Sequence, residues 1–338
     1  MTTDASSTSA PGGDSGSPAG TGERPGAIDA VPVRHPWRWV ATVVIVVLVA
    51  KLIHLLATNP AFDWSFIFQA MVQSPVLRGL MLGTLLATVC AMLIAVTLGV
   101  VLAIMRLSDN KILSLTAAAY TWFFRAIPRY VLLFMMGALG SVFPPSTGGL
   151  GIGIPFGPQI MDLLGFSGDL TLFSLDANRL FSSLVGGIIG LGLSEAAYMA
   201  EIARAGILSV DQGQREAAAA LGMSNRLSMR RILLPQAMRV IVPPTGNETI
   251  AMLKDTSLLL AVPVTAELFY QLQAIGARTF QGFATSVAAT IWYLIICSVL
   301  MYIQMHIERY FGRGFGSPSA PREGVRSRLL GLAGGGRA

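Results

Sequence analysis

Six long apolar runs, separated by polar joints, dominate the chain. They lie at about residues 37–57, 79–105, 120–142, 180–203, 240–262 and 283–305. Each is long enough to cross a bilayer core, which takes roughly 20 residues. Arg34 and Arg38 flank the start of the first run, and Trp37 and Trp39 suit the membrane interface. The polar stretch before it is too long for the leader of a signal peptide, so this run reads as a membrane helix. Lys51 and His54 sit near its far end, where long polar side chains snorkel. The second and sixth runs are uncharged. The third is interrupted by Arg125, Pro128 and Arg129, and the fourth carries Glu195 and Glu201. The fifth carries Pro243, Pro244, Glu248, Lys254 and Asp255. The pattern predicts an all-α membrane protein with about six transmembrane helices.

Outside the runs, residues 1–33 are Gly, Ser, Thr, Pro, Ala and Asp with almost nothing to bury, and they are expected to be a disordered tail. Residues 312–338 read as a second disordered tail, made basic by Arg313, Arg322, Arg326, Arg328 and Arg337 and suited to anionic lipid.

Composition agrees with the patterning. The 338 residues are 53% hydrophobic and 12% charged, with a mean hydropathy of +0.62. A soluble domain carries about 25% charged residues, so a soluble enzyme is a poor fit. The net charge of +6 is not gathered on one polar surface, which argues against nucleic acid as a partner. It lies instead in alternate joints. With the N-terminus in the cytoplasm, the cytoplasmic segments hold 17 Lys and Arg and the external ones 3. That asymmetry places both termini and residues 204–239 inside. Cys90 and Cys297 lie in apolar runs and read as buried thiols, not as a disulfide or metal pair.

Two joints are long. The external segment 143–179 is rich in Gly and Pro, with a short helix expected near 160–164. Its glycines do not spell a dinucleotide fingerprint. It reads as a structured loop able to touch an extracellular partner. The internal segment 204–239 predicts a short helix, a turn at Gly222, and a second helix capped by Ser224. The run Ala217–Ala220 has so little side-chain bulk that it can enter a groove closely. No G-x-x-x-x-G-K-[ST] occurs, and His35, His54 and His306 are scattered, so neither a phosphate cradle nor a metal site is predicted in this chain.

The spacing Glu216-Ala217-Ala218, three residues, Gly222, nine residues, Ile232, one residue, Leu234-Pro235 matches the EAA signature of permeases of bacterial ABC importers. The flanking AYMAEIARAGILSVDQGQREAA, LLPQAMRVIVPPTGNETIAMLKDTSLL and ARTF resemble the polar amino acid permeases of the histidine, arginine, glutamine and glutamate type. The stretch WFFRAIPRYVLLF resembles their FRGTPLLVQLF segment, with Ala126-Ile127 in place of Gly-Thr and Arg129 in place of Leu.

The resemblance covers residues 76–310. It implies a five-helix type I importer core plus one extra helix at 37–57, in a multi-pass protein of the bacterial cytoplasmic membrane. It further implies a transport subunit that forms a translocation pore with a second permease subunit, identical or paralogous. A cytoplasmic ATPase dimer would bind ATP and Mg and dock on the EAA loop, and an extracytoplasmic binding protein would deliver the amino acid. The docking residues implied are Glu216, Ala217, Ala218, Gly222, Ile232 and Leu234, with Pro235 ending the element.

The fifth run adds a second candidate. Lys254 lies 15 residues beyond Arg239, roughly 22 Å along a helix, so Lys254, Asp255 and Thr256 fall deep in the bilayer. Charges at that depth face a polar cavity or a partner. They are candidates for a substrate path or gate, or for an ion network with Glu195 or Glu248. Pro243, Pro244 and Gly246 are expected to break the helix below them. The alternative class, an ion-coupled secondary amino acid carrier, needs a complete internal inverted repeat, which the sequence lacks.

Overall fold

The computed structural model describes residues 36–142, 150–154, 156–165, 171–176, 180, 181, 183–262 and 264–312. The tail at 1–33, all but the first residue of that at 312–338, and part of the segment 143–179 lie outside the described residues.

Two compact units divide at Thr58. The first contains α1 (Pro36–Thr58), an apolar helix with no buried residue. Its 23 residues reach about 34 Å at 1.5 Å per residue, enough to span a core of about 30 Å.

The second unit begins with α2 (Trp64–Met71) and the long α3 (Ser74–Arg106), which contains a π-helical turn at Gly79–Leu85. Then come α4 (Lys111–Ala126) and α5 (Arg129–Val142), bent by 101° where Ile127 is extended before Pro128. That bend is what proline imposes on its predecessor. The external segment forms β1 (Leu150–Gly153), α6 (Gly157–Leu163) and β2 (Thr171–Leu175), with β1 and β2 antiparallel. The short helix was expected there; the hairpin was not. Next are α7 (Leu184–Leu208), α8 (Gln212–Ala220) and α9 (Asn225–Ser228). A π-helical turn at Met229–Leu233 leads into α10 (Leu234–Asp255), and a 3-10 turn at Thr256–Ala261 follows it. The last elements are α11 (Leu268–Thr279) and α12 (Gly282–Phe311).

Among the described residues, α1, α3, α7 and α12 are long and apolar enough to cross a membrane, and the bent pair α4–α5 makes a fifth candidate. The expected fifth run is also helical, as α10, but its four charged residues make it too polar to qualify by composition.

Small residues govern the packing. Ala87, Ala91 and Ala95 of α3 are buried with Leu191 and Met199 of α7, Leu133 of α5 and Met252 of α10. Close approach at small residues is how helices associate where lipid offers no hydrophobic drive. A second cluster joins α2 and the start of α3 to α11 and α12 through Ile67, Val76, Leu268, Leu272 and Ala288. The outward faces of α3 and α12 remain apolar, with Leu93, Ile104, Leu294 and Val299 exposed.

The prolines do not break α10. The helix runs unbroken through Pro243 and Pro244, in contrast to the break expected from their missing N–H groups. Side chains bond carbonyls around the prolines: Gln304 Nε2 of α12 donates to the Pro243 carbonyl at 2.9 Å, and Thr245 Oγ1 to the Ile241 carbonyl at 2.8 Å. The carbonyls that lose their usual donor are those of Arg239 and Val240.

Candidate functional site

Two constellations hold the residues singled out by sequence, and α10 joins them. One is the loop α8–α9. Asp211 caps α8, its carboxylate accepting from the Gly213 N–H at 2.7 Å. The helix ends in a Schellman turn: Gly222, at φ +71°, donates to the Ala219 carbonyl at 2.9 Å, and Met223 to that of Ala218 at 3.0 Å. Ser224 then caps α9, accepting from the Leu227 N–H, as expected. Ala218 is buried, whereas Glu216, Ala217, Ala219, Ala220 and Leu221 are exposed. The exposed face borders an open groove of about 540 Å³ lined by Gln212, Arg215, Glu216, Ala219 and Asn225. Ile232 is half-buried and Leu234 exposed. Pro235 does not end an element. It lies in the first turn of α10, where a missing N–H costs nothing. Val210, Leu233 and Ala237 form a small core under the loop, which seats it on α10.

The second constellation is an ion cluster at the far end of α10. Arg129, the first residue of α5, ion-pairs with Glu195 of α7 at 2.5 Å and with Asp255, the last residue of α10. Its guanidinium lies 4.9 Å from the ring centroid of Tyr198, a cation–π contact, and the exposed Arg125 lies 5.5 Å from the same ring. Glu248 neighbours Glu195. Glu195 is fully buried, and its Oε1 has no hydrogen-bond partner among the described residues.

The structure separates Lys254 from Asp255. Lys254 is exposed and lines another groove, of about 560 Å³, with Ser257, Ser286, Thr290, Tyr293 and Cys297. Adjacent helical residues point about 100° apart, and here Lys254 lines that groove while Asp255 pairs with Arg129. Thr256 is buried and donates back to the Leu253 carbonyl at 2.7 Å. The expected network with Glu195 exists for Asp255, bridged by Arg129, and not for Lys254.

Sequence reasoning missed Arg129 and Tyr198 as members of the site. The signal for Arg129 was present: an arginine beside a proline inside an apolar run, where the resembling segment has Leu. A further missed cluster surrounds Glu267, fully buried at the start of α11. Its Oε1 accepts from Thr84 Oγ1 at 2.8 Å and Tyr293 Oη at 2.6 Å, and its Oε2 from the N–H groups of Phe269 and Tyr270.

Among the described residues no group of three or more His, Cys, Asp or Glu is arranged to hold a metal ion. The arrangement that is present is an acidic, arginine-bridged cluster at one end of a helix and an exposed turn at the other. The 21 steps from Leu234 to Asp255 put the two about 32 Å apart along the helix.

Residues 95–313 match the family described as binding-protein-dependent transport system inner membrane component. The chain is 40% identical over 301 residues to the arginine transport system permease protein ArgU of Corynebacterium glutamicum, covering 88% of this chain and 87% of that one. It is 41% identical over 122 residues to the glutamine transport system permease protein GlnP of Escherichia coli, covering 36% and 55%. Among solved structures it is similar to an amino acid ABC transporter crystallised with histidines, at 28% identity and a TM-score of 0.52, covering 70% of this chain and 94% of that one.

Proposed function

The chain belongs to the binding-protein-dependent transport system inner membrane component family and is a permease subunit of an amino acid ABC importer; on that premise we propose that its cargo is polar amino acids with a cationic side chain. The observation that carries the cargo is the charge of the cluster. Glu195 and Asp255 pair with the guanidinium of Arg129 within the helical core, Glu248 lies beside Glu195, and carboxylates outnumber the guanidinium groups even when the exposed Arg125 is counted. An electronegative, partly desolvated site favours a guanidinium or ammonium ligand over a neutral or anionic one. The name of the Corynebacterium relative, an arginine transport permease, points the same way.

Energy comes from a partner. A cytoplasmic ATPase dimer binds ATP and Mg and docks on the loop α8–α9, with Glu216, Ala217, Ala218 and Gly222 at the contact and Ile232, Leu234 and Pro235 carrying the loop into α10. A second permease subunit completes the pore, and an extracytoplasmic binding protein delivers the amino acid to the outer face. When the ATPases close, the two docking turns draw together, and α10 transmits the displacement to Asp255. Alternating access then follows as a rigid-body rocking of helices. Both termini and the loop α8–α9 lie in the cytoplasm, as the charge asymmetry requires.

Uptake by cells lacking the chain, complemented with it, tests the cargo. Labelled arginine should accumulate, and unlabelled lysine should compete far better than glutamine or glutamate. Equal competition by glutamine contradicts the cationic reading.

A further inference from the structure

We propose that Arg129 is a resident placeholder in the transport path. Its guanidinium occupies the Glu195–Asp255 pair while the path is empty, and a cationic ligand must displace it to bind. This rests on the reading of the cargo as cationic amino acids.

Several independent features carry the proposal. Arg129 makes the contacts a bound guanidinium ligand would make: one carboxylate on each side and an aromatic face beneath, from Glu195, Asp255 and Tyr198. Glu195 and Tyr198 come from α7 and Asp255 from α10, so two helices hold the guanidinium that α5 supplies. The pair is unevenly accessible. The side chains of Asp255 and Arg129 are 30% and 16% exposed and that of Glu195 not at all. Glu195 Oε1 is buried with no partner among the described residues, so the cluster holds an acceptor that Arg129 leaves unused. Finally, the resembling FRGTPLLVQLF segment has Leu at this position, so it carries one guanidinium where this chain carries two, Arg125 and Arg129.

Charge balance then makes the residue selective. A neutral ligand that moved Arg129 aside would strand a fully buried carboxylate without a counterion, a costly state. A guanidinium or ammonium restores the balance as it enters, so only a cation exchanges freely. The exchange also weakens apparent affinity. If Arg129 is displaced in about one molecule in ten, ligand binding is about tenfold weaker than to a permanently vacant site. A residue that merely riveted α5 to α7 and α10 would have no such effect.

The test uses the assembled complex of permease and ATPase in nanodiscs, titrated with arginine in the absence of the binding protein. Four variants are compared: Arg129→Leu, Glu195→Gln, Arg129→Leu combined with Glu195→Gln to keep the net charge, and Arg129→Lys. Removing the placeholder should lower the half-saturating arginine concentration by about tenfold in either leucine variant, the double one being judged against Glu195→Gln alone. Arg129→Lys, with a single-point contact in place of a fork, should fall between these and the wild type. Unchanged or weaker arginine binding in an assembled leucine variant overturns the proposal. If only Arg129→Lys assembles, its half-saturating concentration must still fall; if it does not, or if no variant assembles, Arg129 is structural. A wild-type complex that binds neither arginine nor lysine refutes the cationic reading itself. Arginine binding in the wild type with no change in the variants refutes the placeholder alone.

Discussion

Glu267 accepts four hydrogen bonds, from Thr84, Tyr293 and two backbone N–H groups, and no part of it is exposed. Glu267→Ala strands those donors, at about 1–3 kcal/mol for each one left buried and unpaired. The thermal transition of the solubilised protein should fall clearly, and an unchanged transition would show that water replaces the carboxylate. Gly83 belongs to the same region. A Cβ there would collide with the backbone of Ala266 and Glu267, so Gly83→Ala should cost about 1–3 kcal/mol by overpacking and reduce the assembled yield. Lys254 and Asp255, neighbours in sequence, should behave differently because Asp255 pairs with Arg129 whereas Lys254 lines a separate groove. Asp255→Asn removes a charged acceptor from the ion cluster, a loss of about 1.5–3 kcal/mol, and should raise the half-saturating concentration for arginine uptake about tenfold or more. Lys254→Met leaves the Arg129 pairs intact and should change the ratio of arginine to glutamine uptake less. Equal shifts in both variants would contradict the separation. At this scale the sequence was only partly legible. The depth of Lys254 and Asp255 followed from helical rise, and a charge in a span is conspicuous. The partner of Asp255 lies 126 residues away, and no local pattern encodes such a contact.

Helices were legible where hydrophobic period and capping chemistry agreed. Ser224 as a cap and Gly222 as the turn both stand where the sequence placed them, because a Schellman turn needs a residue at positive φ and glycine adopts it without strain. Open space surrounds Gly222, with no atom within 4 Å of an added Cβ. The cost of Gly222→Val is therefore backbone strain, about 1–2 kcal/mol, and not a clash. The protein should still reach the membrane, while binding-protein-stimulated ATP hydrolysis falls; Gly222→Asn, which tolerates the same φ, should retain most of it. Full stimulation in the valine variant with normal expression would remove the turn from the docking role. The continuity of α10 through Pro243 and Pro244 was not legible. A local rule for proline reads only the two missing N–H groups and cannot register packing from another helix, such as the bond from Gln304 of α12, 61 residues on, to the Pro243 carbonyl. The hairpin of β1 and β2 escaped for a related reason: its strands are four and five residues long, in a Gly-rich stretch without clear alternation.

Across the whole molecule, the apolar runs made the membrane class legible and the arginine asymmetry predicts an orientation, since both are bulk properties that need no tertiary contact. The orientation is open to direct test. In a background lacking Cys90 and Cys297, cysteine at Leu164 should be labelled by an impermeant thiol reagent on whole cells, and cysteine at Ser224 only after permeabilisation. The reverse pattern would invert the topology. The assembly, by contrast, depends on other chains, and no single sequence contains them. The most direct test of the central claim is labelled arginine uptake into proteoliposomes holding the permease, its ATPase and the binding protein. Arginine should accumulate against its gradient only with ATP and Mg on the ATPase side, and Glu216→Lys at the docking turn should abolish that accumulation while the complex still binds arginine. Accumulation without ATP, or driven by an ion gradient alone, would contradict the account.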